Sequence, residues 1–300
     1  MRFAFETVDV FTERRFGGNP LAVFPSAIGL SDAAMQALAA EFNLSETTFV
    51  LPPDDPANTV RMRIFNRTAE MAFAGHPSVG TAFVLARAGM GEGDALRLEV
   101  PAGVVAVEME RDAGGDVIGG RITAPQPLSL GAELPREAIA ACASLAPDQV
   151  IVTGHAPVVA SMGNPYVIAE VAPDALDRAQ PDLRAFREAA AGRTDMGGRF
   201  SIFVYARGGA DIRARMFAPL SGTFEDPATG SANTPLAGLL LSLSGDERAD
   251  FSVMQGEAMG RPSLLRLHAW RGPGGITASV AGRCVPVLRG EAEVGADDAQ

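Results

Sequence analysis

The chain is 300 residues long, and all 25 of its basic side chains are arginine. Without lysine there is no Schiff base to pyridoxal phosphate or to a carbonyl substrate, which needs an amine nucleophile, and no Walker A loop, whose lysine reaches the phosphates; guanidinium stays protonated and replaces neither. A net charge of −11 and a pI near 4.8 exclude the basic footprint that nucleic-acid binding rests on.

The N-terminal run RFAFETVDVF (2–11) reads as a strand. Glu6 and Asp9 stand where a signal peptide would hold its apolar stretch, so a cytoplasmic protein is expected. LAVF (21–24) reads as a second strand. Ser31 then fits a helix N-cap, with Met35, Leu38 and Phe42 following on one face. TTFV (47–50) and TVRMRIF (59–65) are strands, and Pro77 to Ala88 reads as a helix, with proline in its first turn and Gly89 as its stop. LRLEV (96–100) and VVAVEME (104–110) return to strands. Cys142, met next, and Cys284 are too few for a disulfide framework or a metal knuckle.

The second half repeats the style. VVAS (158–161) and YVIAEV (166–171) are strands, a third helix covers 174–190, and FSIFVYA (200–206) and DIRARMF (211–217) are strands. A fourth helix begins near Ala228. Pro235 would sit inside it at a cost of about 3 kcal/mol, so that helix is expected to start late or kink. Its apolar stretch Pro235–Leu241 is far shorter than the roughly 20 residues that span a bilayer, so no membrane partner is expected. SLLRLHAW (263–270), ITASVAG (276–282) and VPVLRG (285–290) complete the strands. The ending VGADDAQ is expected to fray.

An internal echo runs through this order. RMRIF (61–65) returns as RARMF (213–217), HPSVGTA (76–82) as DPATGSA (226–232), and the GNP of 18–20 as that of 163–165. Three short matches in one order at nearly one offset imply two similar halves built of strands and helices. In each half a helix opens on small residues, GHPSVG in one and DPATGS in the other. Such helix starts offer orphan N–H donors and the positive end of the macrodipole to an anion. If the two halves face each other, a small carboxylate is the natural occupant.

Few side chains could carry chemistry there. His76 lies just before the second helix, where it either caps the helix or works in a site; Asp226 holds the matching place in the echo. His155 and His268 have no partner pattern and read as structural, and no histidine pair has metal-ligand spacing. Glu46 opens the segment SETTFV, as an exposed strand-edge acid or as a base. Glu225, Asp226, Thr229 and Ser231 could be simple capping groups. GHPSVG is only a loose serine-hydrolase elbow, because His76 occupies the first glycine position before Ser78. GMGEG (89–93) follows a helix and lacks the spacing of a dinucleotide loop.

In order, DVFTERRFGGNPLAVF, NLSETTFV, FAGHPSVGTA, FEDPATGSAN and QGEAMGRPS resemble the PhzF-type phenazine-biosynthesis/isomerase family. The resemblance extends from residue 1 to about 290. It implies an α+β fold of two pseudo-symmetric halves, each a barrel-like β-sheet wrapped around a central helix, as in diaminopimelate epimerase. The expected halves are 1–125, with the last strand (about 283–292) as a candidate to rejoin it, and 126–282; residues 293–300 form the tail. The resemblance also implies an active site between the halves and a homodimer; the missing lysine, metal and nucleotide signals fit a reaction with no cofactor. It makes Glu46 the acid/base residue and gives catalytic places to His76 and Asp226. Gly75, Ser78, Gly230 and Ser231 would bind substrate, as would Asn19 and Asn164 of the two G-N-P motifs. The epimerase relatives use two cysteines at the two helix starts, and these segments hold none, so a two-thiol racemisation is excluded.

The residues and the resemblance together yield a cofactor-independent isomerase of a small carboxylic acid, with a single carboxylate moving a proton between carbons. Carboxylates have reference pKa values of about 4.3, so burial must raise such a base for work near neutrality. A lyase or hydratase using the same carboxylate, and a non-catalytic binder of small acids, are the alternatives.

Overall fold

In the computed structural model the described residues are 1–91, 93–196, 198–208 and 211–295. They form two units, Met1–Thr123 with Ala281–Gln300, and Ala124–Val280. Among them no helix is long and apolar enough to cross a membrane.

The first unit contains β1 (Arg2–Val10), β2 (Asn19–Phe24), α1 (Asp32–Phe42), β3 (Glu46–Leu51), β4 (Val60–Phe65), β5 (Glu70–Met71), α2 (Gly75–Arg87), β6 (Ala95–Val100), β7 (Gly103–Arg111) and β8 (Val117–Thr123). The last strand of the chain, β18 (Gly275–Glu293), returns to it from Ala281 onward. Following the hydrogen-bonded neighbours gives a closed ring of eight strands: β1, β2, β3, β4, β6, β7, β8 and β18. β2 runs parallel to β3 and β4 to β6, whereas β1–β2, β3–β4, β6–β7, β7–β8 and β1–β18 are antiparallel.

The ring is closed around α2, and every residue from Gly75 to Leu85 is buried. A helix walled in on all sides must be small or apolar all round, which is how GHPSVGTAFVL reads. A Cβ on Gly80 would stand 2.7 Å from a Leu21 methyl and 2.8 Å from a Val10 methyl, so this glycine sets how closely α2 packs on β1 and β2. A Cβ on Gly119 would stand 2.2 Å from the Gly282 carbonyl oxygen, at the seam where β8 meets β18. Outside the ring, α1 is capped as expected: the Ser31 hydroxyl accepts the Ala34 N–H at 3.1 Å. Ala34, Met35 and Ala39 of α1 pack on Phe24, Phe49 and Phe65.

The second unit contains β9 (Ser129–Glu133), α3 (Arg136–Cys142), β10 (Val150–Ile151), β11 (Val158–Ser161), β12 (Pro165–Val171), α4 (Pro173–Leu176), α5 (Leu183–Ala190), β13 (Ile202–Gly208), β14 (Asp211–Ala218), β15 (Thr223–Asp226), α6 (Gly230–Leu243), β16 (Arg248–Gln255) and β17 (Ser263–Gly272). Its pairings repeat those of the first unit. β12 is parallel to β13, β13 antiparallel to β14, and β14 parallel to β16, as β2, β3, β4 and β6 are. The buried helix here is α6.

The echo now has a physical content. In RMRIF and RARMF the second arginine lies over the ring of the following phenylalanine, with 5.0 Å from Arg63 to the Phe65 centroid and 5.0 Å from Arg215 to Phe217. Each also grips a glutamate on the short strand before the interior helix. Arg63 holds Glu70 with two contacts of 2.7 Å, and Arg215 holds Glu225 with two of 2.8 Å. Bidentate pairing of this kind fixes orientation as well as charge, so each fork ties the strand that leads into a central helix.

The structure corrects several expectations. The helix expected over 174–190 is two helices, α4 and α5; Pro181 lies between them, and Asp182 caps α5 by accepting the Ala185 N–H at 2.8 Å. α6 starts at Gly230 and passes through Pro235, leaving the Ser231 carbonyl without its usual helical donor. Burial of Leu236, Leu239, Leu240 and Leu241, about 1.5–3 kcal/mol for each such side chain, offsets that loss. The tail was expected to fray from 293, but Val294 is buried and its N–H donates to the Met1 carbonyl at 2.9 Å. Residues 296–300 of that tail lie outside the described residues.

Candidate active site

In the first unit Glu46, His76 and Asn19 meet. Glu46 is the first residue of β3, directly across from Leu21 of β2. His76 is the second residue of α2, and its N-cap, Ala74, offers no side-chain acceptor. The histidine does not cap its helix. It is 6% exposed, and its Nε2 lies 3.3 Å from Oε2 of Glu46, whose side chain is 16% exposed. The two are in contact but are not aligned as a hydrogen bond. Burial pushes the His76 pKa down to about 3, so the ring is neutral near pH 7.

Asn19, fully buried at the start of β2, places its Nδ2 3.2 Å from Nδ1 of His76, and its Oδ1 accepts the Ser45 hydroxyl at 3.4 Å. The turn before it needs glycine. Gly18 has φ +63, and a Cβ there would stand 2.4 Å from the Val10 carbonyl oxygen. Buried Asp9 holds the same turn by accepting the Phe16 N–H at 2.7 Å. Ser78 is fully buried and donates its hydroxyl proton to the Ala74 carbonyl at 2.8 Å. Gly75 opens α2, where helix geometry leaves the first N–H groups without intrahelical partners.

In the second unit a polar cluster gathers around Asp226, the last residue of β15. Its Oδ2 accepts the Thr229 hydroxyl at 2.5 Å, and both residues are 7% exposed. Thr229 is the N-cap residue of α6, yet its own side chain makes no capping bond and turns to Asp226 instead. Gln255, at the end of β16, organises the group. Its Nε2 donates to the Asp226 carbonyl at 2.8 Å and to Thr229 Oγ1 at 3.1 Å, while its Oε1 accepts the Thr229 N–H at 3.2 Å and the Asn233 amide at 3.0 Å. Gly230 is the first residue of α6, and the Ser231 hydroxyl is 2.7 Å from that of Tyr166. Asn164 is half-buried in the turn between β11 and β12.

Ser45, Gln255 and Tyr166 were not singled out as site residues from sequence. Ser45 and Gln255 stand inside motifs, S-E-T and Q-G-E-A, and those motifs were the available signal. His155 bonds the Tyr205 hydroxyl at 2.8 Å and His268 meets Asp250 at 2.7 Å; neither joins Glu46 or Asp226. Among the described residues no group of three or more His, Cys, Asp or Glu side chains could hold a metal ion.

A strand ring closed around a buried helix defines an epimerase-type fold, and here a carboxylate and a neutral imidazole stand together at that helix's start. The chain belongs to the phenazine biosynthesis-like (PhzC-PhzF) family, whose model matches residues 8–290. It is 39% identical to a Mesorhizobium japonicum protein named as an uncharacterized isomerase, over 94% of this chain and 96% of that one. It is 37% identical to the trans-2,3-dihydro-3-hydroxyanthranilate isomerase of Pseudomonas fluorescens, over 86% and 87%. The crystal structure of a Bacillus anthracis phenazine biosynthesis protein of the PhzF family shares the fold, at a TM-score of 0.86, 24% identity and coverage of 98% and 100%. The chain is an isomerase of this family.

Proposed function

We propose that this isomerase moves a proton between two carbons of a small carboxylic acid without a cofactor, and that Glu46 is the acid/base residue. The observation that carries the reading is the Glu46–His76 contact of 3.3 Å, in which a largely buried carboxylate stands beside an imidazole that burial keeps neutral. Glu46 takes a proton from an acidic C–H beside the substrate's carboxylate or unsaturated system. One carboxylate serves both steps, so the proton returns to another carbon on the same face. Charge developing on the substrate's oxygens is met by helix N-terminal donors and by the imidazole. Asp226, ordered by the Thr229 hydroxyl, is assigned a catalytic role on its D-P-x-T-G-S motif.

The test is exchange in heavy water with wild type and Glu46→Gln against a panel of small carboxylic acids. The panel begins with trans-2,3-dihydro-3-hydroxyanthranilate, named as the substrate of the Pseudomonas fluorescens relative. The expected result is deuterium entry into an isomeric product for wild type and a rate lower by about 10²- to 10⁴-fold for the variant, the span for loss of a general acid/base. Equal exchange by both proteins would remove Glu46 from the role. A product lighter by one water would replace isomerisation with dehydration.

A further inference from the structure

We infer that Asn19 is a positioning residue: its amide, oriented by Ser45, locks His76 in the tautomer that carries its proton on Nε2, the ring nitrogen facing Glu46. This deepens the reading above and rests on it only for its catalytic consequence. A neutral imidazole has one N–H and one lone pair, and a partner at one nitrogen decides the form of the other. The partner at Nδ1 is the Asn19 side chain at 3.2 Å, buried away from water. An amide can present either NH2 or oxygen, and its surroundings decide which. Here the oxygen accepts the Ser45 hydroxyl at 3.4 Å and the NH2 faces the ring. An NH2 group donates, so Nδ1 supplies the lone pair and the ring proton sits on Nε2.

That proton has no hydrogen-bond acceptor of good geometry among the described residues, in a side chain only 6% exposed. A buried donor left so is costly and marks where a ligand atom is to be received. The 3.3 Å to Glu46 places this donor beside the carboxylate. A ring that stays neutral does not carry the transferred proton. It acts as a fixed hydrogen-bond donor to an oxygen of the substrate while Glu46 moves the proton. The S-E-T motif therefore supplies both the base and, through Ser45, the residue that sets the donor's polarity from the G-N-P motif.

The experiment is long-range proton–nitrogen NMR of uniformly nitrogen-15-labelled full chain without substrate. The chain has three histidines, and His76 is assigned from the signals lost in His76→Gln. The expected wild-type pattern at pH 7 is an unprotonated Nδ1 and a protonated Nε2. Asn19→Asp replaces the donor by an acceptor and is expected to move the ring proton to Nδ1. It should also lower kcat by about tenfold to a hundredfold, as loss of an orienting partner does for ligand histidines, with little change in KM. Ser45→Ala, a milder change, is expected to leave the fold intact and mix the tautomers. A wild-type spectrum with the proton on Nδ1 would overturn the inference, as would folded Asn19→Asp with the tautomer unchanged. Because the spectrum needs no turnover, failure of Glu46 as the base and failure of the tautomer lock are read separately.

Discussion

The burial of His76 has a measurable price in acid. Its ordinary pKa of 6.5 applies in the unfolded chain, and burial lowers it to about 3 in the folded one. Between those values the unfolded state binds a proton that the folded state refuses. The group's folded pKa is depressed, so its contribution is fully present above pH 6.5 and is lost as pH falls toward 3. At pH 4 the unfolded chain gains about 2.5 pKa units' worth of protonation, about 3 kcal/mol at 1.4 kcal/mol per unit. His76→Gln has nothing to titrate at this position. Urea unfolding of both proteins at pH 8 and pH 4 isolates the effect, because the carboxylates common to both largely cancel in the comparison. Wild type should lose about 3 kcal/mol more than the variant over that interval. Equal losses would mean that His76 is not held neutral by burial and is not a neutral donor beside Glu46.

Three further outcomes follow from the packing. Arg215→Met removes the fork on Glu225 and the donors to the Leu176 and Ala179 carbonyls, and should destabilise by about 3–5 kcal/mol in urea unfolding, the cost of leaving one member of a buried pair; Arg63→Met should lose less, because its partner Glu70 is better solvated. Gly119→Ala drives a Cβ onto the Gly282 carbonyl oxygen and should cost at least the roughly 1–3 kcal/mol of an overpacked site, seen as a lower Tm; Gly80→Ala, which meets side-chain methyls that can yield, should cost less. Gln255→Leu removes all four bonds that order Asp226, Thr229 and Asn233, and should reduce kcat/KM while circular dichroism retains the native strand signal.

What the sequence made legible, and what it hid, divides along physical lines. The β4 and β14 strands were visible because each carries an arginine fork and a phenylalanine that recur as a spelled motif. β8, VIGGRIT, was invisible because the two glycines that let it lie against its neighbours also erase its β-branched pattern. A Cβ on Gly119 has nowhere to go, and one on Gly120 would stand 3.0 Å from a Val107 methyl. β9 is exposed along its whole length, so no alternation was available to read. Glu46, His76 and Asp226 were reachable through their motifs. The Asn19–His76 contact was not, because 57 residues separate its partners and only the closure of β2 beside α2 brings them together. Gln255 was hidden for the same reason, with its bonds spanning 22 to 29 residues.

The absence of lysine also takes on a different weight. As a composition it excluded amine chemistry. In the structure, the places where cations are buried are places where an ammonium would not serve. Arg215 makes two parallel bonds to Glu225, two short ones to backbone carbonyls and a cation–π contact with Phe217, all from one planar group. Lysine has three donors on a point charge and cannot present that fork. The same geometry at Arg63, Glu70 and Phe65 shows that the device belongs to the repeat and not to one half. Each fork anchors the short strand that delivers the chain into an interior helix, and those helix starts are where His76 and the Asp226–Thr229 pair are placed. Arginine is therefore needed at two positions by the architecture that supports the chemistry, whatever set the composition of the other positions.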